Sequence, residues 1–192
     1  MTMKRYKYFL LALITFSLTI FEFRAVNFKF AFLGSTAVAQ TVNDRNAEAD
    51  RLFEQGNKQY DTNQYKQALQ FWEQSLAIYR EISNQQGIAN SLNNMGNAYR
   101  NLGDYRKAIN YHQQSLVIEK QIGNREGIAN SLNNLGNAYR NLGDYRKAIN
   151  YHQQSLVIEK QIGNREGIAN SLNNLGNAYR NLGDYRKAIN YH

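Results

Sequence analysis

The sequence predicts an all-α solenoid, a stack of antiparallel helix pairs, and three observations support this fold class. Residues 101–140 recur without a single change at 141–180, and residues 181–192 begin a third copy. Each copy also carries the start and stop signals of two helices. The period of 40 extends back into the less regular part of the chain, where glycine and tyrosine keep the same phase: Gly56, Gly96, Gly136 and Gly176, and Tyr65, Tyr105, Tyr145 and Tyr185. A fixed period of this length is typical of an array in which each unit packs on its neighbours.

The amino-terminal segment, residues 1–39, is predicted to be a secretory leader. Basic residues precede the mostly apolar segment 9–21, which as a helix would span about 20 Å, too short for a hydrocarbon core of about 30 Å. Residues 37–39, Ala-Val-Ala, supply the small-residue pattern that a signal peptidase requires. We expect export to the periplasm or the exterior, with an uncleaved membrane anchor as the alternative. Residues 40–46 are polar and are predicted to form a linker.

Composition narrows the classes of function. The chain has no cysteine, which excludes disulfides, thiolate metal sites and cysteine nucleophiles from these residues. The formal net charge is +8. Five basic side chains against Glu22 place +4 of this charge in residues 1–39, which leaves +4 for the array. A small, interspersed excess of this kind is typical of a soluble surface rather than of a nucleic-acid-binding stripe.

Each exact copy is predicted to form two helices. The first begins at Asn124, an N-cap residue, and ends at Gly143, because glycine readily adopts the left-handed conformation that terminates helices. The second begins at the N-cap Asp144 and stops near Gly163. Because the connections are short, successive helices must be antiparallel.

The helical period divides the first helix into faces. Five asparagines lie opposite an apolar stripe, and small residues occupy the two flanks, which allows neighbouring helices to approach closely. The stripe consists of Ile128, Leu132, Leu135, Tyr139 and Leu142, and the flanks of Ala129, Ser131, Gly136 and Ala138.

These residues carry a family resemblance, which covers residues 47–192. The spacings of the tetratricopeptide repeat signature are matched by Leu132, Leu135, Gly136, Tyr139 and Ala148. The chain resembles the 40-residue variety of this repeat, found in kinesin light chains and in many exported bacterial proteins. The resemblance implies about three and a half units in a right-handed superhelix, whose first helices line a concave groove.

The chain departs from the signature in three respects. Leu132 stands in place of tryptophan, His152 stands in place of phenylalanine, and there is no proline. The first unit is the most divergent, with Trp72 in phase with His152, and an atypical terminal unit suits a capping role.

The asparagine face is the predicted binding site. Asparagine costs up to about 0.7 kcal/mol per residue relative to alanine in a helix, so five cost roughly 3 kcal/mol, which a function would offset. A carboxamide donates and accepts hydrogen bonds, so a row of them can hold the backbone of an extended peptide. The predicted peptide-binding residues are Asn90, Asn93, Asn94, Asn97, Arg100, Asn101, Asn130, Asn133, Asn134, Asn137, Arg140, Asn141, Asn170, Asn173, Asn174, Asn177, Arg180 and Asn181.

The arginines of this set could select a carboxylate through forked hydrogen bonds. The expected partner is therefore a protein or peptide, in particular an acidic one. The alternative is that the asparagines bond to adjacent repeats or keep an exposed face hydrated.

Other recurring polar residues are interpreted structurally. His112, His152 and His192 share one phase, but equivalent positions should be about 10 Å apart or more, given helix spacings of about 8 to 10 Å, whereas zinc binds histidine at about 2.1 Å. We expect these histidines to be packing residues. Asp104 and Asp144 are expected to be helix caps, as is their copy Asp184. The sequence therefore predicts no catalytic residue, no metal site and no cofactor.

Tyr111 and its copies, with Arg106 and Lys107, could be taken for an aromatic and basic nucleic-acid surface. Arg106 and Lys107 lie in the first turn of the second helix and are predicted to be solvated, so no nucleic-acid partner is expected. The last helix stops at His192 in mid-repeat, so we expect a fragment of a longer product.

The leading interpretation is an exported, non-catalytic scaffold that binds an extended peptide in its groove. The alternatives are a docking or regulatory arm of a larger protein whose catalytic domain, for example a caspase-like peptidase, lies beyond residue 192, and self-stacking through open repeat ends.

Overall fold

The structure is a computed structural model that describes residues 41–191. The predicted leader, residues 1–39, lies outside the described residues. Contacts divide the chain into two units, Met1–Asp44 and Arg45–His192, and the second unit contains the repeats. No helix within the described residues is long and apolar enough to cross a membrane.

The described chain consists of helices joined by short turns, and the predicted all-α solenoid of antiparallel helix pairs is confirmed. The first helices of the pairs are α1 (residues 41–61), α3 (Gln85–Asn101), α5 (Arg125–Leu142) and α7 (Arg165–Leu182). The second helices are α2 (Tyr65–Glu81), α4 (Tyr105–Ile122), α6 (Tyr145–Ile162) and α8 (Tyr185–Tyr191).

The predicted helix boundaries of the exact copies are confirmed. Asn124 Oδ1 accepts a hydrogen bond from the Gly127 backbone N–H at 3.1 Å, and Asp144 Oδ1 accepts one from the Lys147 N–H at 3.1 Å. Gly143 has a φ of 90°, in the left-handed region that ends helices. The side chain of Asp144 therefore caps the amino-terminal end of α6, as the sequence predicts.

Residues 41–46, which belong to the predicted linker, are helical and are part of α1. Their polar side chains have partners in the second helix of the pair and in the turn that follows it. Arg45 Nη2 donates to Glu81 Oε2 at 2.5 Å, and Asn46 Oδ1 accepts from Asn84 Nδ2 at 2.7 Å. The sequence shows a polar segment here but not these partners, which lie more than 35 residues away along the chain.

The core lies between helices of neighbouring units. Helix α5 packs against both α4 and α6, so its two flanks are covered as well as its apolar stripe. Ala129, Gly136 and Ala138 are buried, together with Leu132 and Leu135. Leu142 belongs to the apolar stripe by its phase, but it is 42% exposed. It is the last residue of α5, beside the turn at Gly143.

Successive first helices are closer together than successive second helices. Helix α3 contacts α5, and α5 contacts α7, whereas none of α2, α4, α6 and α8 contacts another of these four. The first helices therefore form the crowded side of the array, and the second helices are separated by clefts on the other side.

Candidate functional site

The asparagine face of the first helices is partly exposed. Asn130 and Asn141 near the ends of α5 are exposed, whereas Asn133, Asn134 and Asn137 in its middle are half-buried. The equivalent residues of α3 follow the same pattern. The structure thus places the predicted residues along one side of each first helix, with the central amides closest to the neighbouring units.

Several of these amides bond to one another between units. Asn134 Nδ2 donates to Asn93 Oδ1 at 3.0 Å, and its copy Asn174 Nδ2 donates to Asn133 Oδ1 at 2.9 Å. Between the first two units, Asn94 Nδ2 donates to Asn57 Oδ1 at 3.0 Å. These bonds join adjacent first helices, so this part of the asparagine row holds the stack together.

The same oxygens also bind the histidines of the second helices. His112 Nδ1 lies 3.0 Å from Asn93 Oδ1, and His152 Nδ1 lies 2.9 Å from Asn133 Oδ1. Because an amide oxygen can only accept, Nδ1 is the protonated ring nitrogen. Both rings are fully buried, in agreement with the packing role predicted for them.

Burial makes these histidines weak bases. Burial, and secondarily the charge of Arg100, lowers the pKa of His112 to about 3, and burial with the charge of Arg140 lowers the pKa of His152 to about 4. The Nε2 atom of each ring is buried without a hydrogen-bond partner in the described chain. Both imidazoles are therefore neutral at physiological pH.

In the first unit, a tryptophan takes the place of the buried histidine. Trp72, in phase with the histidines, donates its Nε1 proton to Asn57 Oδ1 at 3.2 Å and to the Phe53 carbonyl at 3.1 Å. Asn57 occupies the same phase as Asn97 and Asn137. In the later units the histidine instead bonds to the asparagine one helical turn earlier, Asn93 in the case of His112. The Oδ1 atoms of Asn97 and Asn137 are consequently buried without a hydrogen-bond partner in the described chain.

The predicted arginines form a row with unsatisfied charge. Burial lowers the pKa of Arg140, and the positive charges of Arg100 and Arg180 lower it further. None of these three side chains forms an ion pair within residues 41–191. Arg100 and Arg140 are half-buried. Like charges gathered in this way favour the approach of an anion.

A cleft of about 430 Å³ opens at the amino-terminal end of the asparagine row. Asn94 and Asn97 contribute to its wall, opposite Tyr60 and Asp61 of α1. Its two acidic residues, Glu54 and Asp61, contrast in charge with the arginine row.

The sequence left open whether the asparagines bond to adjacent repeats, and the structure shows that several of them do. Sequence reasoning placed the asparagines on one face but could not distinguish amides bonded to other side chains from free ones. The sequence offers one signal for these bonds, the presence of His112 in the phase of Trp72. A buried imidazole requires a hydrogen-bond partner, and the asparagines of the neighbouring helix are candidates.

Comparison with known proteins gives a consistent result for the repeat type. A family model for the tetratricopeptide repeat matches residues 59–121, 87–158 and 127–192. No curated protein matches the chain.

Similar folds occur among solved structures. Aspartyl phosphate phosphatase F from Bacillus subtilis has a TM-score of 0.73 at 18% identity, over 77% of this chain and 39% of that one. A Rap protein complexed with Competence and Sporulation Factor has a TM-score of 0.70 at 21% identity, over 76% and 41%. BtubC (BKLC) from P. vanneervenii has a TM-score of 0.68 at 21% identity, over 74% and 59%. The chain thus spans less than two thirds of each of these structures, and at such identities the likeness concerns the fold.

Proposed function

This chain belongs to the tetratricopeptide repeat family, and we propose that it is a non-catalytic scaffold that binds an extended, acidic peptide along the first helices of its repeats. The observation that carries the proposal is the arginine row, in which Arg100, Arg140 and Arg180 recur at intervals of 40 without ion-pair partners in the described chain. Guanidinium groups bind carboxylates through paired hydrogen bonds.

The asparagines have two roles in this proposal. Asn93, Asn133, Asn134 and Asn174 keep adjacent first helices in register, because their amides are already bonded between units. The backbone of the peptide is held instead by exposed amides such as that of Asn130, which has no side-chain hydrogen bond within the described residues. A side chain that already meets its bonding needs has little left to offer a ligand.

The similar structures support this class of function. One of them, the Rap protein, was solved in complex with Competence and Sporulation Factor. At 21% identity the similarity supports only the fold. We therefore infer from that structure only that an array of this fold can bind a partner.

Three further points stay proposals. The scaffold is exported, by the leader of residues 1–39 or with that leader as a membrane anchor. The alternative function, a docking or regulatory arm of a larger protein with a catalytic domain beyond residue 192, would use the same surface. Self-stacking of repeat ends is the third.

The proposal is tested with the full chain and an acidic peptide selected from a library of about twelve-residue sequences, a length that spans roughly 40 Å when extended. The double variant Arg140→Gln/Arg180→Gln should weaken binding at least about 10-fold in fluorescence polarisation, because each charge-assisted bond contributes roughly 1.5 to 3 kcal/mol. Lys58→Gln/Arg165→Gln, which removes two positive charges at exposed positions of first helices outside the row, is the matched control. Equal affinity for Arg140→Gln/Arg180→Gln and the control would refute the arginine row as the binding site.

A further inference from the structure

A second set of clefts lies on the opposite side of the array, between successive second helices. The cleft between α4 and α6 has a volume of about 570 Å³, and that between α2 and α4 about 660 Å³. Because the second helices do not contact one another, the bottom of each cleft is formed by the first helix between them. Both volumes are within the range of pockets that bind small ligands or side chains.

The floor of the α4/α6 cleft is apolar. Leu116 and Leu132 line it from α4 and α5, beside Tyr139. In the α2/α4 cleft the floor is formed by Leu76, Met95 and Tyr99. Each cleft can therefore remove a bulky aliphatic or aromatic side chain of a partner from water, a burial that stabilises by about 1.5 to 3 kcal/mol for a fully covered side chain.

One wall of each cleft is a pair of stacked tyrosines. The rings of Tyr139 and Tyr151 are 5.3 Å apart and nearly parallel at 8°, and Lys147 Nζ lies 5.1 Å from the centre of the Tyr139 ring. Tyr99 and Tyr111 repeat the arrangement at 5.2 Å and 7°. The ring of Tyr139 already contacts a second ring and a cation, so it offers little surface to a nucleobase, which binds proteins by stacking on free aromatic faces.

The rim of the α4/α6 cleft carries three basic residues, of which only one has an ion-pair partner in the described residues. Each of these second helices contains a single carboxylate, Glu119 in α4 and Glu159 in α6, and each is only 3% exposed. Lys147 is paired with Asp144 at 3.0 Å. Lys120 and Arg146 are exposed, line the cleft and form no ion pair within the described residues.

We propose that these outer clefts bind a second partner, an acidic polypeptide segment that inserts an apolar side chain into each cleft and places carboxylates on the basic residues of its rim. In the α2/α4 cleft these basic residues are Arg80, Arg106 and Lys107, which outnumber the single exposed carboxylate of Glu73. The leucine and tyrosine floor accounts for the apolar residue, and the unpaired Lys120 and Arg146 account for the acidic flanks. This surface is separate from the arginine row of the first helices and does not depend on the function proposed above.

The repeat sets the spacing of the partner. Helices in contact pack about 8 to 10 Å apart, and an extended chain advances about 3.3 Å per residue. Because successive second helices do not contact one another, successive clefts are farther apart than this. Most lining residues of the two clefts share one phase of the repeat, and side chains of an extended chain alternate between its two faces. A partner that occupies two clefts should therefore carry apolar residues an even number of positions apart, four or more, with acidic residues between.

The experiment uses the full chain and a fluorescein-labelled peptide of about twelve residues with the repeating unit Glu-Glu-Glu-Leu, which places its leucines on one face about 13 Å apart. A peptide of the same composition with its leucines contiguous tests the spacing, and a single-stranded oligonucleotide of similar charge tests the class of partner. We expect the repeating peptide to bind at least about 10-fold more tightly than either probe, because only it combines carboxylates with spaced apolar side chains.

Variants locate the site. Lys120→Glu/Arg146→Glu should abolish the preference for the repeating peptide, and Lys120→Gln/Arg146→Gln should reduce it. The double variant Lys58→Glu/Arg165→Glu, which makes the same change of charge at exposed positions of first helices, should retain it. Arg140→Gln/Arg180→Gln should also retain it, so the result is independent of the arginine row. The replaced residues are exposed, apart from the half-buried Arg140, and unchanged melting temperatures would verify folding.

Three results would overturn the proposal. One is equal binding by the contiguous-leucine peptide, which would mean that charge alone acts. Another is tighter binding of the oligonucleotide, and the last is a preference that survives in Lys120→Glu/Arg146→Glu as it does in the control pair.

Discussion

The amide oxygen of Asn133 accepts the Nδ1 proton of His152 at 2.9 Å, and the same oxygen accepts a bond from Asn174 at 2.9 Å. One atom of α5 therefore joins the second helix of its own unit to the first helix of the next. Asn93 makes the equivalent pair of bonds with His112 and Asn134. Because this connection recurs with every exact copy, the stability of the array should depend on it at each layer.

Removal of this acceptor should destabilise the chain. Asn133→Ala leaves the buried Nδ1 proton of His152 and an amide proton of Asn174 unpaired, at a cost of about 1 to 3 kcal/mol, against a gain in helix propensity of at most about 0.7 kcal/mol. We expect a net loss of about 1 to 2 kcal/mol in the free energy of unfolding, measured by urea denaturation.

Asn130→Ala is the matched control on the same helix. Asn130 is exposed and has no side-chain hydrogen bond within the described chain, so its replacement should leave stability unchanged or raise it by a few tenths of a kcal/mol. Equal effects at the two positions would contradict the distinction between bonded and free asparagines.

The turn after α2 should be strained. Ser83 has a φ of 59°, in the left-handed region that disfavours residues with a Cβ atom, whereas its copy Gly123 is a glycine with a φ of 73°. Ser83→Gly should raise the free energy of unfolding by about 1 kcal/mol, because relief of strain exceeds the entropy that glycine adds to the unfolded chain.

The converse change, Gly123→Ser, should lower stability by about the same amount. A Cβ atom at Gly123 would have no atom within 4 Å, so the loss would be due to the backbone conformation alone. The prediction fails if both substitutions shift the urea midpoint in the same direction.

Much of the fold could be predicted because the repeat provides several copies of every signal. Asn124, Asp144 and Gly143 marked helix ends, and the structure places the ends there. The candidate site was less accessible to sequence reasoning. The period that aligns Asn130 with Asn133 and Asn137 gives the face of a helix, but bonding to a neighbouring helix depends on packing distances that no single helix contains.

The histidines should make stability depend on pH. The pKa of His152 is lowered to about 4 in the folded chain, mainly by burial, and is about 6.5 when unfolded. Below pH 6.5 the unfolded chain binds more protons than the folded one, so the histidine term is favourable above pH 6.5 and is lost progressively as the pH falls towards 4. The slope for one histidine is at most about 1.4 kcal/mol per pH unit.

His152→Phe isolates this effect. Phenylalanine cannot be protonated, and the in-phase Trp72 shows that an aromatic ring fits this layer. The variant should lose less stability than the parent chain between pH 6.5 and 4, while the buried Glu119 and Glu159, which are present in both proteins, cancel in the comparison. Parallel curves of melting temperature against pH would show that His152 does not titrate in this way.

The close contact between Gly136 and His152 should be required for the packing of α5 on α6. A Cβ atom at Gly136 would lie 2.5 Å from His152 Cε1 and 2.7 Å from its Nδ1. Gly136→Ala must therefore displace a buried ring that is also bonded to Asn133, and we expect a loss of about 1 to 3 kcal/mol in the free energy of unfolding.

A double-mutant cycle attributes this loss to the ring. His152→Ala removes the atoms that the new methyl group would meet, so Gly136→Ala should be much less destabilising in that background, by a coupling of about 1 kcal/mol or more. Alanine also has a higher helix propensity than glycine by about 1 kcal/mol. In the His152→Ala background, where the new methyl group meets no ring, this gain should offset part of the loss. If Gly136→Ala costs the same amount with and without the imidazole, the contact with His152 is not what requires glycine at this position.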